Sequence, residues 1–288
     1  MGKLARISLT LVTLIIAAVL GHWIWQHYLY SPWTRDGRVR AHVITIAPDV
    51  SGWVNDVEVK DNQEVKKGDV IFTVDDTRYK AAIAELEAQV ENKQYAWELA
   101  KHQYERRKTL TTGKLVSEET AESARISTEL AKSNYKLAKA QLATAQINLD
   151  RTVVRAPADG SIINLTLRDG NYVSQGKSVL SLVKQNSFYV TGYFEETKIP
   201  LISLGQKATI TLMSGGKPLT GTVASIGEAI ADTNTASNSQ LLPQVQQTFN
   251  WVRLAQRIPV DIKLDSYPDN VHLSAGMTVS IHLEEQAQ

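Results

Sequence analysis

Two stretches of this chain repeat one another at a fixed distance, and that repeat constrains the fold more than any other feature. Gly52 to Val74 and Gly160 to Leu182 align without a gap at a constant offset of 108 residues (160 − 52). Val54 matches Ile162, Val57 Leu165, Val59 Leu167, Val65 Val173, Gly68 Gly176, Ile71 Val179 and Val74 Leu182. Val57 and Val59, like Leu165 and Leu167, stand at alternate positions, which puts them on one face of a strand. Asp61-Asn62 and Asp169-Gly170-Asn171 are turn chemistry, and Gly68 and Gly176 each supply a residue that takes positive φ before the next strand. An Ala-Pro step precedes each half, Ala47-Pro48 and Ala156-Pro157. Neither half carries enough apolar surface to fold alone, so the pair predicts one flattened β-sandwich over 47–75 and 152–185.

Between the halves lies an insert, 76–151. It has no proline or glycine from Arg78 to Thr112 or from Glu118 to Arg151, so nothing local stops either of two long helices. In the first arm Ile83, Leu86, Val90, Lys93, Trp97, Ala100, Tyr104 and Arg107 recur in steps of three and four; in the second, Ile126, Leu130, Ser133, Leu137, Ala140, Thr144 and Ile147 do. These stripes predict the facing seams of a coiled-coil hairpin. Ser117 before Glu118 and Glu119 is an N-cap with acidic first-turn residues. Each arm would extend roughly 50 Å at 1.5 Å per residue.

The amino terminus carries a different signal. Ile7 to Trp25 is uncharged and long enough to span a bilayer core of about 30 Å, and the run continues into Trp23 and Trp25 where a signal peptide would show small residues. It predicts a retained transmembrane helix over 7–30, with 1–6 cytoplasmic because Lys3 and Arg6 precede it. Trp23, Trp25, Tyr28, Tyr30 and Trp33 are placed for an outer aromatic belt. Position 22, where a lipid-anchored chain would need a cysteine, is His22.

From Phe188 onward, short alternating segments predict strands at Tyr189 to Phe194, Ala208 to Met213, Gly221 to Ile226, Ile258 to Leu264 and Met277 to Leu283. Such spacing suggests a small antiparallel barrel, assigned 31–46 with 186–288, with Arg38 to Ile46 as one more strand. Pro259 within a strand pattern predicts an edge or bulge, and the polar run Ala231 to Gln247 a long loop. The fold class is therefore α+β.

Enzymatic chemistry finds no support. There are no cysteines, the six histidines have no ligand spacing, and no nucleophile elbow or phosphate loop occurs. Asp75-Asp76 and Glu195-Glu196 are carboxylate pairs at element ends. No metal or cofactor is expected, and a net charge of +1 gives no argument for nucleic acid.

The paired halves resemble the biotinyl/lipoyl fold, but no Met-Lys-Met or Asp-Lys-Ala tripeptide stands between them, so a carrier of biotin or lipoate is disfavoured. Over nearly its whole length the chain resembles the HlyD/EmrA class of membrane fusion proteins, and within it the AaeA-like subunits of p-hydroxybenzoic acid efflux pumps. The residues that carry the resemblance are Ser31 to Asp36, Ala47 to Gly52, Arg155 to Gly160, Val183 to Val190 and Trp251 to Arg257. It implies an inner-membrane adaptor, single-pass, with its bulk in the periplasm. The expected partners are a transporter of the aromatic acid exporter or major facilitator type, a TolC-like outer-membrane channel, and further copies in a trimeric or hexameric ring. The expected cargo is aromatic carboxylic acids or other small toxic compounds; adaptors of multidrug or protein secretion systems are the alternative, and a stand-alone envelope structural protein is a further one. Arg106, Leu110 and Ser117 follow Arg-x3-Leu-x6-Ser, a spacing that resembles the hairpin-tip motif with which such adaptors meet the channel.

Overall fold

In the computed structural model, residues 10–22, 31–112, 117–230, 255–266 and 272–284 are described. Two compact units account for the chain: one comprises Met1–His42 with Asn186–Gln288, the other Val43–Gln185.

The second unit holds the sandwich. Its strands are β2 (Val43–Ile46), β3 (Gly52–Val57), β4 (Glu64–Val65), β5 (Val70–Val74), β6 (Val153–Arg155), β7 (Gly160–Ile163), β8 (Tyr172–Val173) and β9 (Leu180–Lys184). They form two four-stranded sheets, β2-β9-β7-β4 and β6-β5-β3-β8. Replacing each strand by its repeat partner turns one order into the other, so each sheet mixes strands of both halves. The hydrogen bonds repeat too. Gly68 N–H donates to Ala156 O at 2.8 Å and Gly176 N–H to Pro48 O at 2.9 Å; Val54 N–H donates to Asn171 O at 2.8 Å and Ile162 N–H to Gln63 O at 2.9 Å. Each bond is its counterpart shifted by the repeat. Gly68 and Gly176 have φ of 96° and 75°, the positive values their turns require. Between the sheets, Val54, Ile71, Phe72, Val74, Ile162 and Leu182 are almost fully buried, which is the core neither half could make alone.

The first unit is built on a closed antiparallel barrel. β1 (Trp33–Arg40), β10 (Tyr189–Glu195), β11 (Lys207–Leu212), β12 (Leu219–Ile226), β13 (Arg257–Ser266) and β14 (Thr278–Leu283) close in the order β1-β10-β13-β12-β11-β14. Alternation aims Val260, Ile262 and Leu264 and Val279, Ile281 and Leu283 inward, onto Phe194, Ile210 and Val190. Two expectations need revision. The stretch Arg38 to Ile46 is not one strand: β1 ends at Arg40, and Val43–Ile46 pairs with Leu180–Lys184 in the sandwich instead of joining the barrel. Nor does Pro259 mark an edge, because β13 has partners on both sides. Of the two alternatives it is the bulge that the ladder carries nearby, where the β12–β13 register shifts between Val223 and Ser225, opposite Ile262 and Asp261. The Pro259 carbonyl accepts from Gly227 N–H at 2.8 Å, so the missing N–H of Pro259 falls just where β12 has ended. Ala231 to Gln247 lies outside the described residues.

Residues 10–22 form a helix, α1, on which Leu11, Leu14, Ile15, Val19 and Leu20 are all more than half exposed. It is apolar all round. Among the described residues no helix is long and apolar enough to cross a membrane; the remainder of the expected span, with Trp23, Trp25, Tyr28 and Tyr30, lies outside them.

Candidate functional site

The hairpin consists of α2 (Thr77–Thr112) and α3 (Glu118–Asp150). At 36 and 33 residues they extend about 54 and 50 Å at 1.5 Å per residue. Both feet stand on neighbouring strands of one sheet, since α2 leaves β5 and α3 enters β6, and those two strands pair. Val74 N–H donates to Thr152 O and Asp75 N–H to Trp53 O, each at 2.8 Å. The arms thus continue a β-ribbon and take their direction from it.

At the foot of α2, Asp75 Oδ1 accepts from the Thr77 hydroxyl at 2.6 Å and from Thr77 N–H at 2.9 Å. These two bonds, with Arg78 and Lys80 nearby, hold its carboxyl below the usual aspartate range. Across the foot Arg151 meets Asp49 at 3.0 Å. Asp75 and Asp76 therefore serve the helix entry, where Asp76 also pairs with Lys80 at 2.8 Å.

The first-arm seam lies where its spacing places it. Ile83, Leu86, Val90, Lys93, Trp97, Ala100, Tyr104 and Arg107 are all half-buried against α3. The second-arm seam does not. Ile126, Leu130, Leu137 and Ile147 are 56%, 63%, 59% and 56% exposed, and Ser133, Ala140 and Thr144 point outward with them. α3 instead presents Ala121, Ala124, Thr128, Ala131, Tyr135, Ala138, Leu142, Ala145 and Leu149 to α2, a second heptad stripe on the opposite face. The reason is volume. α2 brings Trp97, Tyr104, Leu86 and Val90 to the seam; Ala121, Ala124, Thr128, Ala131, Ala138 and Ala145 leave room for large side chains, and Tyr135 meets Trp97 face on. Trp97 stacks on Tyr135 with ring centroids 5.6 Å apart, and the Thr128 hydroxyl lies 3.0 Å from Ala100 O across the seam. The sequence signal for this face is the small-residue heptad Ala121, Ala124, Thr128, Ala131, Ala138 and Ala145, which runs opposite the larger stripe.

At the tip, Arg106 and Leu110 stand one turn apart near the end of α2, Arg106 exposed and Leu110 38% exposed. Ser117 is the N-cap of α3: its Oγ accepts from Thr120 N–H at 3.3 Å and lies 2.8 Å from Thr120 Oγ1. Residues 113–116, which join the arms, are outside the described set. One turn into α3, Arg125 chelates Glu122 through Nε and Nη2 at 2.9 and 2.7 Å, which keeps the Glu122 carboxyl below its ordinary range. Among the described residues no three His, Asp or Glu side chains gather as a metal site.

What these parts offer is reach and surface. Comparison with known proteins agrees with that reading. Residues 42–185 match the family model described as the barrel-sandwich hybrid domain of RND membrane fusion proteins, and residues 187–284 match that of the AAEA-like beta-barrel domain. The chain is 43% identical over 274 residues to the uncharacterized protein YdhJ of Escherichia coli K12, covering 94% of this chain and 95% of that one. Among solved structures it is similar in fold to the membrane fusion protein Spr0693 of Streptococcus pneumoniae R6, with a TM-score of 0.64 at 16% identity over 88% of this chain and 98% of that one. It is likewise similar to MacA of Actinobacillus actinomycetemcomitans, with a TM-score of 0.63 at 24% identity over 89% and 80%. With the sandwich, the inserted hairpin and an AAEA-like barrel all in place, the chain belongs to the membrane fusion protein family, the non-enzymatic periplasmic adaptors of efflux systems.

Proposed function

We propose that this chain is the adaptor of a tripartite pump that exports aromatic carboxylic acids or other small toxic compounds. In this reading, residues 7–30 anchor it in the inner membrane as a single span, with residues 1–6 cytoplasmic and the bulk of the chain periplasmic. It joins a transporter of the aromatic acid exporter or major facilitator type to a TolC-like outer-membrane channel, as a ring of three or six copies. Arg106, Leu110 and Ser117 at the hairpin tip meet the channel, the first two through exposed side chains and Ser117 by capping the helix that follows the tip.

The observation that carries this reading is the hairpin standing on the β5–β6 ribbon. Two helices of about 50 Å or more, fixed at both feet, project a tip away from the sandwich core. The apolar α1 supports the anchor, and the AAEA-like barrel match supports aromatic acids over other cargo. The test is export. A strain deleted for this chain, challenged with an aromatic carboxylate such as benzoate, should accumulate it and recover with the full chain but not with one lacking residues 1–30. Equal accumulation in all three strains would refute the reading.

A further inference from the structure

The outer wall of the barrel carries a cleft of about 960 Å³, within the range of roughly 300–1,000 Å³ typical of small-molecule sites. Three strands and a turn of one unit build it. β1 supplies Trp33, Arg35 and Asp36, β10 supplies Tyr193 and β13 supplies Arg257, because the inward places on these strands go to Val39, Phe194 and Val260. The 3₁₀ turn Glu196–Leu201 follows β10 directly and adds Lys198, Pro200 and Leu201. Ile202, buried in the barrel core just after it, ties the turn down.

The side chains in this cleft are held in place. The Lys198 ammonium donates to Trp33 O at 3.1 Å and lies 4.7 Å from the centroid of the Trp33 ring. The Arg35 guanidinium stands against the same ring, 5.3 Å from its centroid. Tyr193 is clamped at both ends: its carbonyl accepts from the Thr34 hydroxyl at 2.8 Å, and its own hydroxyl accepts from Arg40 Nη2 at 2.7 Å. Trp33, Tyr193 and Lys198 are half-buried, so none of the three is a loose surface group.

What this packing leaves over is positive charge. The cleft holds two carboxylates, Asp36 and Glu195, and Arg257 takes the first of them. Among the described residues no salt bridge reaches Arg35, Lys198 or Glu195, which leaves two cations against one exposed carboxylate. Lys198 keeps two of its three donors after the bond to Trp33 O. A positioned ammonium and guanidinium with donors to spare suit a carboxylate, which accepts charge-assisted bonds from both. Beside them, Tyr193, Pro200 and Leu201 form an apolar wall. A bare inorganic anion would leave that wall wet, and a neutral arene would leave the cations unanswered.

We infer that this cleft binds an aromatic carboxylate, its carboxylate on Lys198 and Arg35 and its ring on Tyr193 against Pro200 and Leu201. The adaptor then holds cargo itself in addition to bridging its partners. This gives the cargo class of the adaptor reading a site on this chain and rests on that reading.

The test is equilibrium dialysis of radiolabelled benzoate against the purified full chain in detergent, with unlabelled benzoate, acetate, inorganic phosphate and benzyl alcohol as competitors. The expected result is saturable binding that unlabelled benzoate displaces at least about tenfold more effectively than any of the other three, since each lacks the ring or the carboxylate. Lys198→Gln and Arg35→Gln should each weaken binding by about tenfold. Lys217→Gln, which removes a cation outside the cleft, should leave it unchanged. No saturable binding, binding by either cleft variant as tight as by the parent chain, or displacement by acetate, phosphate or benzyl alcohol as effective as by benzoate would overturn the inference. The competitor series needs no variant, so it decides even where a substitution disturbs the fold. Binding is read without transporter or channel. A chain that binds benzoate but does not restore export refutes the adaptor reading and not the site, and one that restores export without binding refutes the site alone.

Discussion

Trp97 and Tyr135 lie ring on ring across the hairpin, 5.6 Å between centroids and 17° from parallel. Lys132 lies over the Trp97 ring at 5.9 Å from its centroid and Lys139 over the Tyr135 ring at 5.7 Å, so each member of the stack also faces a cation. This pair sets the register of α2 against α3 midway along the arms. Trp97→Ala removes the stack and its buried area and is expected to destabilise the hairpin by about 1–3 kcal/mol, with Trp97→Phe milder. Thermal unfolding followed by helical circular dichroism reads the difference; equal midpoints for both variants would show that the stack does not set the register.

The two apolar stripes of α3 make opposite predictions for neighbouring residues. Ala138 is 3% exposed and Leu137 59% exposed. Ala138→Leu overfills the seam and should cost about 1–3 kcal/mol. Leu137→Ala should leave monomer stability within about 0.5 kcal/mol, as for a surface change. Denaturant unfolding of both variants decides which stripe is inside, and a reversed order would restore the larger stripe to the seam.

That reversal also marks how far the sequence could be read. The sandwich was legible because a repeat specifies partners: Val54 and Ile162 fill equivalent places, and both are buried. The α2 seam was legible because its apolar stripe has no rival. α3 carries two heptad stripes, and side-chain size alone selects the wrong one, since Ile126, Leu130, Leu137 and Ile147 are the ones that face outward. Choosing correctly requires knowing that Trp97 and Tyr104 stand opposite, which is a tertiary fact. Val43–Ile46 is ambiguous for a similar reason. Its alternation reads the same in either sheet, and only the pairing of Ile44 with Leu182 distinguishes them. At the tip, Arg106, Leu110 and Ser117 are given by spacing, but the role of Ser117 as the N-cap limits how freely its hydroxyl can serve a partner.

Gly160 opens β7 where the two sheet strands come closest. A Cβ there would lie 2.1 Å from Val183 O, a backbone atom that cannot rotate away. Gly160→Ala must push β7 and β9 apart and should destabilise the sandwich by about 1–3 kcal/mol or more. Gly170 has a positive φ but open space around it, so Gly170→Asn, which tolerates that conformation, should cost far less. Comparable losses at the two sites would contradict the close-approach argument.

The foot of α2 contributes a pH dependence of known sign. Asp75 accepts from Thr77 twice, so its folded pKa lies below that of an unfolded aspartate near 3.9. A depressed carboxylate pKa means the folded state binds fewer protons. The stabilisation is present above the unfolded pKa and is lost as pH falls through the lower folded value. Asp75→Asn keeps an acceptor but cannot titrate, so its melting temperature should fall less steeply than that of the parent chain below pH 4. Parallel curves would show that Asp75 is not a source of the acid sensitivity.

Ser117→Ala removes the N-cap of α3 and should cost about 1 kcal/mol. If its hydroxyl acts only as a cap, Ser117→Asp, which also caps, should restore stability and channel capture together. Restored stability without restored capture would assign the hydroxyl a contact of its own.

The central claim, that the hairpin delivers its tip to an outer-membrane channel, is tested most directly by capture at that tip. The full chain, carrying a photo-crosslinking amino acid at Leu110, is irradiated in intact cells. The account predicts a covalent adduct with a TolC-like channel, which disappears with Arg106→Asp and is absent when the probe stands at Tyr172 on the sandwich. An adduct of equal yield from both probe positions, or no channel adduct from Leu110 in cells that export, would contradict it.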